Sequence, residues 1–367
     1  MANSSLTKAK KQKNDEFYTR IEDIEREVMQ YQQYFKDKVV YCNCDDPEES
    51  NFWKFFELNF EYFGLKKLIS THFDKDKQTY KLELCRDINN DGKINNLDIV
   101  KTPLSGNGDF RSPESIELLK ESDIVVTNPP FSLFREYIAQ LIEYNKQFLV
   151  IGNKNAITYK EIFPLIKDNK IWFGLTTPSD FKCPGIKINV NGLCRWFTNL
   201  PNKKRNEEII LFKEFNENDF PKYDNYIAWN VDKTKDIPVD KEIIVKLSND
   251  DYEKAMKIYN DDCQLLDIDK ETGICKVLIK RPIWGVPISF LDKYNPNQFE
   301  IYKTKECITD TVGVGIEEHI GEYSSGLVWN ALINLKDAIR LGKKIYKSQI
   351  KGEKYSLYHR ILLRIKS

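Results

Sequence analysis

The chain of 367 residues is 41% hydrophobic, and its 56 basic and 56 acidic side chains give a formal net charge of zero. This length leaves room for two domains, and the absence of any run of about 18 apolar residues excludes a membrane span. The polar, lysine-bearing N-terminus has no apolar signal stretch, which predicts a cytoplasmic protein.

In chain order, residues 1–14 are predicted to form a flexible basic arm, after which apolar and amphipathic segments alternate. The predicted helices are 21–35, 50–60, 112–120 and 132–144, and Ser50 is the expected cap of the second. The predicted strands are 38–42, 67–71, 78–85, 98–102, 123–127 and 147–152. This alternation is typical of an α/β fold whose parallel sheet carries helices on both faces. Ligands of such sheets bind beyond the carboxyl ends of the strands.

The pattern changes from about Trp172, where strands predicted over 187–190, 195–198 and 209–212 alternate with loops. Beyond Asn216 the sequence is irregular and repeatedly interrupted by proline, which predicts a second, less regular domain. We therefore expect the first domain to span 15–215 and the second to span 216–367.

The segment that carries the most specific chemistry is Asn128-Pro129-Pro130-Phe131, which follows an apolar strand. Acceptors that take both amino hydrogens of adenine would free the nitrogen lone pair, and the carbonyl oxygens of Asn128 and Pro129 are such acceptors. Pro130 has no competing N–H, and Phe131 can stack on a base that has swung out of the helix. The motif predicts methylation of the 6-amino group of adenine with S-adenosylmethionine as donor. A simple loop turn is the alternative.

Two strand ends and the start of the first helix are candidates for the donor pocket. Phe17, Tyr18 and Thr19 could close over the methionine end of the donor, or Thr19 could simply cap the helix. The turn that contains Cys44, Asp45 and Pro47 follows the first strand, where a carboxylate can receive the ammonium group of the donor. A tight Asp-Pro turn is the alternative for this second segment.

The remaining donor candidates follow the second strand and precede the third helix. Asp74 could bind the ribose hydroxyls, although an acid in this role usually lies nearer the strand end. Asp109 could accept from the amino group of the donor's adenine while Phe110 packs on its ring, and the neighbouring glycines would permit close backbone approach. An ordinary loop is the alternative.

Residues 87–98 have the acidic and amide spacing of a calcium loop, with Gly92 at the sixth position. The residues before this loop are predicted to form a strand rather than a helix, so a hairpin turn around Asp91 and Gly92 is the preferred interpretation. The cysteines and three histidines form no recognisable ligand set, and we expect no metal.

DNA binding by a chain without net charge would have to depend on local basic patches, because phosphate contacts supply most non-specific affinity. One candidate patch is Lys203, Lys204 and Arg205. Another lies in the basic C-terminal tail and contains Lys343 and Lys344. Solvated charged faces without a DNA contact are the alternative.

These motifs together resemble the EcoRI-type family of adenine-specific DNA methyltransferases. The resemblance rests on segments 15–19, 41–47, 108–114 and 123–136, and it extends to 152–157, 195–199 and 285–296. It implies a Rossmann-like S-adenosylmethionine-dependent core, a double-stranded DNA substrate and a C-terminal target-recognition domain. By position, Asn128 to Phe131 would be the catalytic tetrapeptide, and Phe17, Asp45 and Asp109 would line the donor pocket.

Members of that family often accompany a restriction endonuclease or are carried by mobile elements, so a cognate nuclease that acts separately is an expected partner. The target sequence does not transfer by resemblance. Methylation of cytosine, RNA or a protein glutamine and a non-catalytic DNA-binding role are the alternatives.

Overall fold

The computed structural model describes residues 18–44, 46–74, 76–183, 186–189, 192–302, 328–343 and 345–366. The chain divides into two compact units, Met1–Asn202 and Lys203–Ser367. The boundary predicted from the sequence lies slightly later, between residues 215 and 216. Within the described residues, no helix is both long and apolar enough to cross a membrane.

The helices of the first unit are α1 Ile21–Val28, α2 Asn51–Leu58, α3 Phe60–Phe63, α4 Pro113–Glu121, α5 Phe134–Glu143 and α6 Phe163–Lys167. Its strands are β1 Tyr18–Thr19, β2 Val39–Cys42, β3 Lys67–Thr71, β4 Tyr80–Leu84, β5 Val100–Pro103, β6 Ile124–Thr127, β7 Gln147–Asn153, β8 Trp172–Phe173, β9 Asp180–Cys183, β10 Ile186–Asn189 and β11 Cys194–Thr198.

In the described part of the first unit, eight strands form one mixed sheet in the order β5-β4-β3-β2-β6-β7-β11-β8. The four strands in the order β3-β2-β6-β7 are parallel, as the sequence predicts. The flanking strands pair antiparallel, so the prediction of a parallel sheet is right only for this centre. The carboxyl ends of the four parallel strands consequently lie at one edge of the sheet.

The first two helices show how local sequence sets the elements around this sheet. The helix predicted over 21–35 is α-helical only to Val28 and continues as a 3-10 helix over Met29–Tyr34, in which Tyr31 has non-helical backbone angles. The predicted cap at Ser50 is confirmed, because its Oγ accepts a hydrogen bond of 3.1 Å from the N–H of Phe52. Beneath these helices, the rings of Phe35, Phe56 and Phe63 pack with centroids 5.3 to 5.8 Å apart.

The predicted hairpin around Asp91 and Gly92 is confirmed, because β4 and β5 pair antiparallel on either side of it. The Asp87 carboxylate accepts from three backbone N–H groups of the loop, including that of Gly92 at 2.8 Å. The Asp98 carboxylate accepts from three more. These hydrogen bonds account for the acidic pattern as a means of closing the turn.

A small second sheet in the first unit contains β1, β9 and β10 within the described residues. Strand β9 lies in its centre and pairs antiparallel with both neighbours. Residue Thr19 of β1 lies opposite Phe181 of β9, which joins the start of α1 to a segment about 160 residues later.

The second unit is more regular than the sequence predicts. Among its described residues, the helices are α7 Asn249–Tyr259 and α8 Leu335–Arg340. Its strands are β12 Trp229–Asn230, β13 Glu242–Ser248, β14 Cys263–Asp269, β15 Ile274–Lys280, β16 Trp284–Pro287, β17 Phe299–Ile301, β18 Val328–Asn334, β19 Ile350–Lys351 and β20 Lys354–Ile365. Those that the structure describes form an antiparallel three-stranded sheet, β13-β15-β14, and a six-stranded sheet around β20.

The strand predicted over 209–212 is wrong. The backbone N–H and C=O of Ile209 are bonded by the Gln298 side-chain amide at 2.8 and 2.7 Å instead of by a neighbouring strand. Ile210 and Phe212 point outward, with 83% and 61% of their surface exposed. The β-branched and aromatic residues that suggested a strand therefore belong to an extended surface segment.

Candidate active site

The tetrapeptide Asn128 to Phe131 lies at the carboxyl end of β6, at the edge where the four parallel strands end. All four residues of β6 are buried, and Asn128 is only 7% exposed. A hydrogen bond of 3.3 Å from the N–H of Cys44 to Oγ1 of Thr127 joins the end of β2 to the last residue of β6. A short 3-10 turn over Phe131–Leu133 then leads directly into α5. The motif is thus a strand-end turn with its asparagine held among buried groups.

The segment before α1 meets this turn. Nδ2 of Asn128 donates to Oγ1 of Thr19 at 3.4 Å, and Thr19 is 1% exposed. The carbonyl oxygen of Thr19 accepts from Nδ2 of Asn51 at 2.6 Å, which fixes β1 to the start of α2. Tyr18 is placed in β1 opposite Lys182, whereas Phe17 lies outside the described residues. The sequence assigned Thr19 to the donor pocket or to the cap of the first helix, whereas the structure gives Arg20 as the cap and places Thr19 next to Asn128.

Phe131 is partly exposed, and its ring lies 6.2 Å from the ring of Phe181 in β9, tilted by 51°. Phe181 itself is fully buried. One edge of the Phe131 ring is thereby supported by the small second sheet, while part of its surface stays accessible. A ring in this position can offer a face to a planar ligand.

The end of β2 is a turn that contains the predicted Cys44 and Pro47. The carbonyl oxygen of Asp46 accepts from the N–H groups of Glu49 and Ser50, so the Asp-Pro turn foreseen as an alternative is present. Cys44 is half-buried and Pro47 is buried, whereas Asp45 lies outside the described residues.

Asn43, between β2 and this turn, is 2% exposed and was not among the predicted residues. Its Oδ1 accepts a hydrogen bond of 2.5 Å from the hydroxyl of Tyr137 in α5. Its Nδ2 is buried and has no hydrogen-bond partner among the residues that the structure describes. A buried amide donor left in this state is costly, and a bound acceptor would relieve that cost.

The segment after β3 and the loop 106–110 approach each other closely. The N–H of Asp74 donates to the carbonyl oxygen of Asn107 at 3.2 Å. Gly108 has a φ of +74°, and a Cβ at this position would overlap the carbonyl oxygen of His72. Position 108 therefore requires glycine because of the nearby backbone of His72, and the expected close approach of this loop to the donor stays a prediction.

The Asp74 carboxylate accepts from the N–H groups of Asp76 and Lys77 at 2.8 and 3.0 Å, and these bonds hold the pKa of Asp74 below its usual value. The side chain thus shapes its own turn. The carboxylate stays ionised and lies beside the loop 106–110. Its contact with ribose hydroxyls stays a prediction.

Asp109 and Phe110 sit in this loop with neighbours that the sequence did not foresee. The Asp109 carboxylate accepts from Nε and Nη2 of Arg111 at 2.8 and 2.7 Å, and these bonds raise the pKa of Arg111. Phe110 is 4% exposed and meets the ring of Tyr137 edge to face at 5.1 Å. Its carbonyl oxygen accepts from Nε2 of Gln140 at 3.2 Å. Tyr137 therefore connects the loop 106–110 to Asn43 at the end of β2.

Gln140 lies one turn further along α5 and, like Asn43, has a buried side-chain amide atom. Its Oε1 has no hydrogen-bond partner in the described part of the chain. A buried donor at Asn43 and a buried acceptor at Gln140, with Tyr137 between them on α5, suit a ligand that carries both acceptors and donors. S-adenosylmethionine, with its carboxylate, hydroxyl and amino groups, has this chemistry, so the residues present fit it.

The predicted basic patches belong to the second unit and differ in character. Lys203 is exposed and Lys204 is half-buried. Arg205 is 8% exposed, donates to the carbonyl oxygen of Tyr294 at 2.9 Å and has its pKa lowered to about 10 by burial. Arg205 therefore lies in the interior of the second unit and is not part of an exposed basic patch.

The second predicted basic patch also has fewer exposed charges than the sequence suggested. Lys343 forms an ion pair of 2.5 Å with Asp232, and Lys344 lies outside the described residues. Arg360 and Arg364 of the same tail are 8% and 9% exposed within β20. Among the described residues, no group of three or more His, Cys, Asp or Glu side chains is placed to hold a metal ion.

Residues 5–249 match the protein family described as "Adenine-specific methyltransferase EcoRI". The chain belongs to this family. It is 43% identical over 336 residues to the Type II methyltransferase M.EcoRI of Escherichia coli, which covers 84% of this chain and 91% of that protein. It is 38% identical over 325 residues to the Type II methyltransferase M.MpnI of Mycoplasma pneumoniae and 39% identical over 317 residues to M.MgeORF184P of Mycoplasma genitalium, each covering 81% of this chain and 84% of the relative. No solved structure matches the chain.

Family membership confirms the resemblance inferred from the motifs, and it establishes the chain as an adenine-specific DNA methyltransferase. The site residues that sequence reasoning missed are Asn43, Tyr137, Gln140 and Phe181. Asn43 lies inside a segment that was already singled out. The other three lie on α5 and β9, and nothing in their local sequence distinguishes them from core residues.

Proposed function

We propose that this enzyme transfers a methyl group from S-adenosylmethionine to the 6-amino group of adenine in double-stranded DNA, with Asn128 to Phe131 as its catalytic tetrapeptide. The observation that carries the proposal is the buried Asn128 at the carboxyl end of β6, next to a partly exposed Phe131. The central parallel strands and the helices between them are compatible with a Rossmann-like core.

The chemistry assigned to the tetrapeptide is the capture of both amino hydrogens. Oδ1 of Asn128 accepts one and the carbonyl oxygen of Pro129 accepts the other, which localises the lone pair on the nitrogen. The hydrogen bond from Nδ2 of Asn128 to Thr19 sets the orientation of the carboxamide, and Oδ1 is the acceptor that the carboxamide offers to the base. The ring of Phe131, supported by Phe181, stacks on the extruded adenine.

We assign the donor pocket to the edge formed by β2, β3 and the loop 106–110. Asn43, Gln140 and Asp109 would bind polar groups of the donor, and the turn with Cys44 and Pro47 and the segment at Asp74 would border it. When bound, S-adenosylmethionine supplies an already electrophilic methyl group, so positioning by these residues accounts for much of the rate.

The second unit is proposed to recognise the target sequence, with Lys203 and Lys204 as phosphate contacts. The relatives are named Type II methyltransferases, which supports a role in a restriction-modification system, and a cognate restriction endonuclease or carriage by a mobile element is part of the proposal. We place this activity in the cytoplasm.

The proposed reaction is tested by incubating the purified protein with labelled S-adenosylmethionine and unmethylated duplex DNA. Label is expected on the 6-amino group of adenine, and modification-sensitive sequencing of DNA from expressing cells should show one methylated sequence. Label on cytosine, RNA or protein glutamine, or the absence of label from every DNA, would contradict the proposal.

Replacing Phe131 by Ala is expected to raise the KM for DNA by roughly tenfold, because base stacking on an aromatic ring contributes about 1–3 kcal/mol per base. Phe131→Tyr keeps the ring and should stay within about twofold of the wild type. Steady-state kinetics with varied DNA, together with calorimetric titration of the donor, would check this. Equal KM values for the two variants would show that the ring does not contact the base.

A further inference from the structure

Two carboxylates on α1 are buried although an acid normally faces solvent. Asp23 and Glu27 are 2% and 0% exposed, and their spacing of four residues puts them on the same face of the helix. Glu25, between them, is exposed. Because an ionised carboxylate without partners is very costly to bury, the bonding of this carboxylate pair is informative.

The Glu27 carboxylate is bonded to a loop that is distant in sequence. It accepts from the N–H groups of Leu175 and Thr176 at 2.7 and 2.5 Å and from the hydroxyl of Tyr31 at 3.0 Å. Burial raises the pKa of Glu27, although these hydrogen bonds act in the opposite direction. A Cβ at Gly174 would overlap Oε1 of Glu27, so the backbone at 174 passes directly over the carboxylate.

Asp23 holds the other end of the same loop. Its Oδ2 accepts from the N–H of Ser179 at 3.0 Å and from the Ser179 hydroxyl at 2.9 Å. Oδ1 of Asp23 is also paired with Arg26. The carboxylate pair thus fixes both ends of the loop 174–179, and that loop leads directly into β9.

Strand β9 is the element that touches the tetrapeptide. Phe181 lies opposite Thr19 in the small sheet and packs against Phe131. Thr19 bonds Asn128 and is separated from the start of α1 by one residue. Consequently β1, α1, the loop 174–179 and β9 are joined in a ring of contacts. In this ring, β1 contacts Asn128 through Thr19, and β9 contacts Phe131 through Phe181.

We propose that Asp23 and Glu27 are positioning residues for methyl transfer, because they hold β9 and β1 in the register that orients Asn128 and Phe131. This inference rests on the proposed function of the tetrapeptide. The carboxylate pair is buried against the loop 174–179 and acts through that loop. Its effect should therefore fall on the rate of transfer and leave donor binding unchanged.

Conservative substitutions isolate this role. In Glu27→Gln, one carboxylate oxygen becomes an NH2 group, which faces a backbone N–H or the Tyr31 hydroxyl and cannot accept from it. Asp23→Asn places the same conflict either at Ser179 or at Arg26, because these two residues donate to different oxygens of Asp23. Both variants keep the volume of the side chain, and Glu25→Gln on the exposed face of the same helix is the matched control.

The measurements are the single-turnover rate constant at saturating duplex DNA and donor, the Kd of the donor by calorimetry, and the Tm. For Glu27→Gln and Asp23→Asn, we expect the rate constant per donor-binding site to fall by roughly tenfold or more, since small misplacements remote from the chemistry can cost up to about 100-fold. The donor Kd should stay within about twofold of the wild type, and Glu25→Gln should match the wild type throughout.

A purely structural role would give a different result: a lower Tm with an unchanged rate constant per donor-binding site, and this would overturn the inference. If Glu27→Gln does not fold, Asp23→Asn decides by the same criterion. A wild-type protein that methylates no adenine would remove the proposed function and this inference together, whereas an active wild type with fully active variants would remove the inference alone.

Discussion

Replacing Asn128 by Leu is expected to lower the rate of methyl transfer by roughly 10²–10³-fold, the loss typical of removing one preorganised hydrogen-bonding group from a reacting centre. Leucine keeps the approximate volume of the side chain but offers no acceptor to the amino hydrogen of adenine. The fold should persist, because leucine keeps apolar bulk at the end of a buried strand, and the hydrogen bond of 3.4 Å from Nδ2 of Asn128 to Thr19 contributes only about 1 kcal/mol. Donor affinity should also persist, since the donor pocket is assigned to other strand ends.

Asn128→Asp serves as the companion variant. Aspartate retains an acceptor oxygen in place and should therefore keep measurable activity above that of Asn128→Leu. Single-turnover transfer to duplex DNA, circular dichroism and calorimetric titration of the donor would be measured for both. Full activity in Asn128→Leu would exclude the carboxamide as the acceptor, and equal losses in both variants would indicate a packing role.

The position of the tetrapeptide could be predicted because its signal is local. A short apolar strand that ends in Asn-Pro-Pro-Phe has to place that turn at the carboxyl edge of a parallel sheet, and β6 does so. The loop around Gly108 was also singled out from its glycines, although its close approach to the backbone of His72 was not predicted. Local signals of this kind were sufficient to predict the four parallel strands at the centre of the sheet.

The remaining site depends on pairs of residues that are far apart in sequence. Tyr137 and Asn43 are 94 positions apart, and Leu175 and Glu27 are 148 positions apart. Neither member of such a pair has a local pattern that identifies the other. Arg205 is the converse case, because a lysine and arginine run suggested an exposed patch while the fold buries its third member against Tyr294.

In the second unit, the prolines suggested an irregular domain, although buried and exposed residues alternate clearly in a strand. In β13 the residues Ile243, Val245 and Leu247 are buried while the residues between them are exposed, which is the period of a half-buried strand. The prediction of an irregular domain gave too much weight to the loops between strands. The strand predicted over 209–212 failed for the opposite reason, because its β-forming residues pair with no strand in the part of the chain that the structure describes.

Replacing Gly108 by Ala is expected to weaken donor binding by at least about tenfold, equivalent to roughly 1.4 kcal/mol. Two effects combine at this position. A φ of +74° disfavours any residue with a Cβ by about 1–2 kcal/mol. In addition, the new Cβ would overlap the carbonyl oxygen of His72, and a backbone oxygen at the end of β3 cannot move aside as a flexible side chain could. The loop 106–110 must therefore shift away from the strand ends, and Asp109 shifts with it.

Gly92→Ala provides the matched control, because Gly92 also has a positive φ, of +84°, but has open space where a Cβ would lie. Both variants carry the backbone strain, so both should show a lower Tm, whereas only Gly108→Ala should show a raised Kd for the donor. Calorimetric titration of S-adenosylmethionine and thermal unfolding of the two variants would separate strain from displacement. An unchanged donor Kd in Gly108→Ala would mean that the loop 106–110 does not border the donor pocket, and Asp109 would then have to be removed from the site.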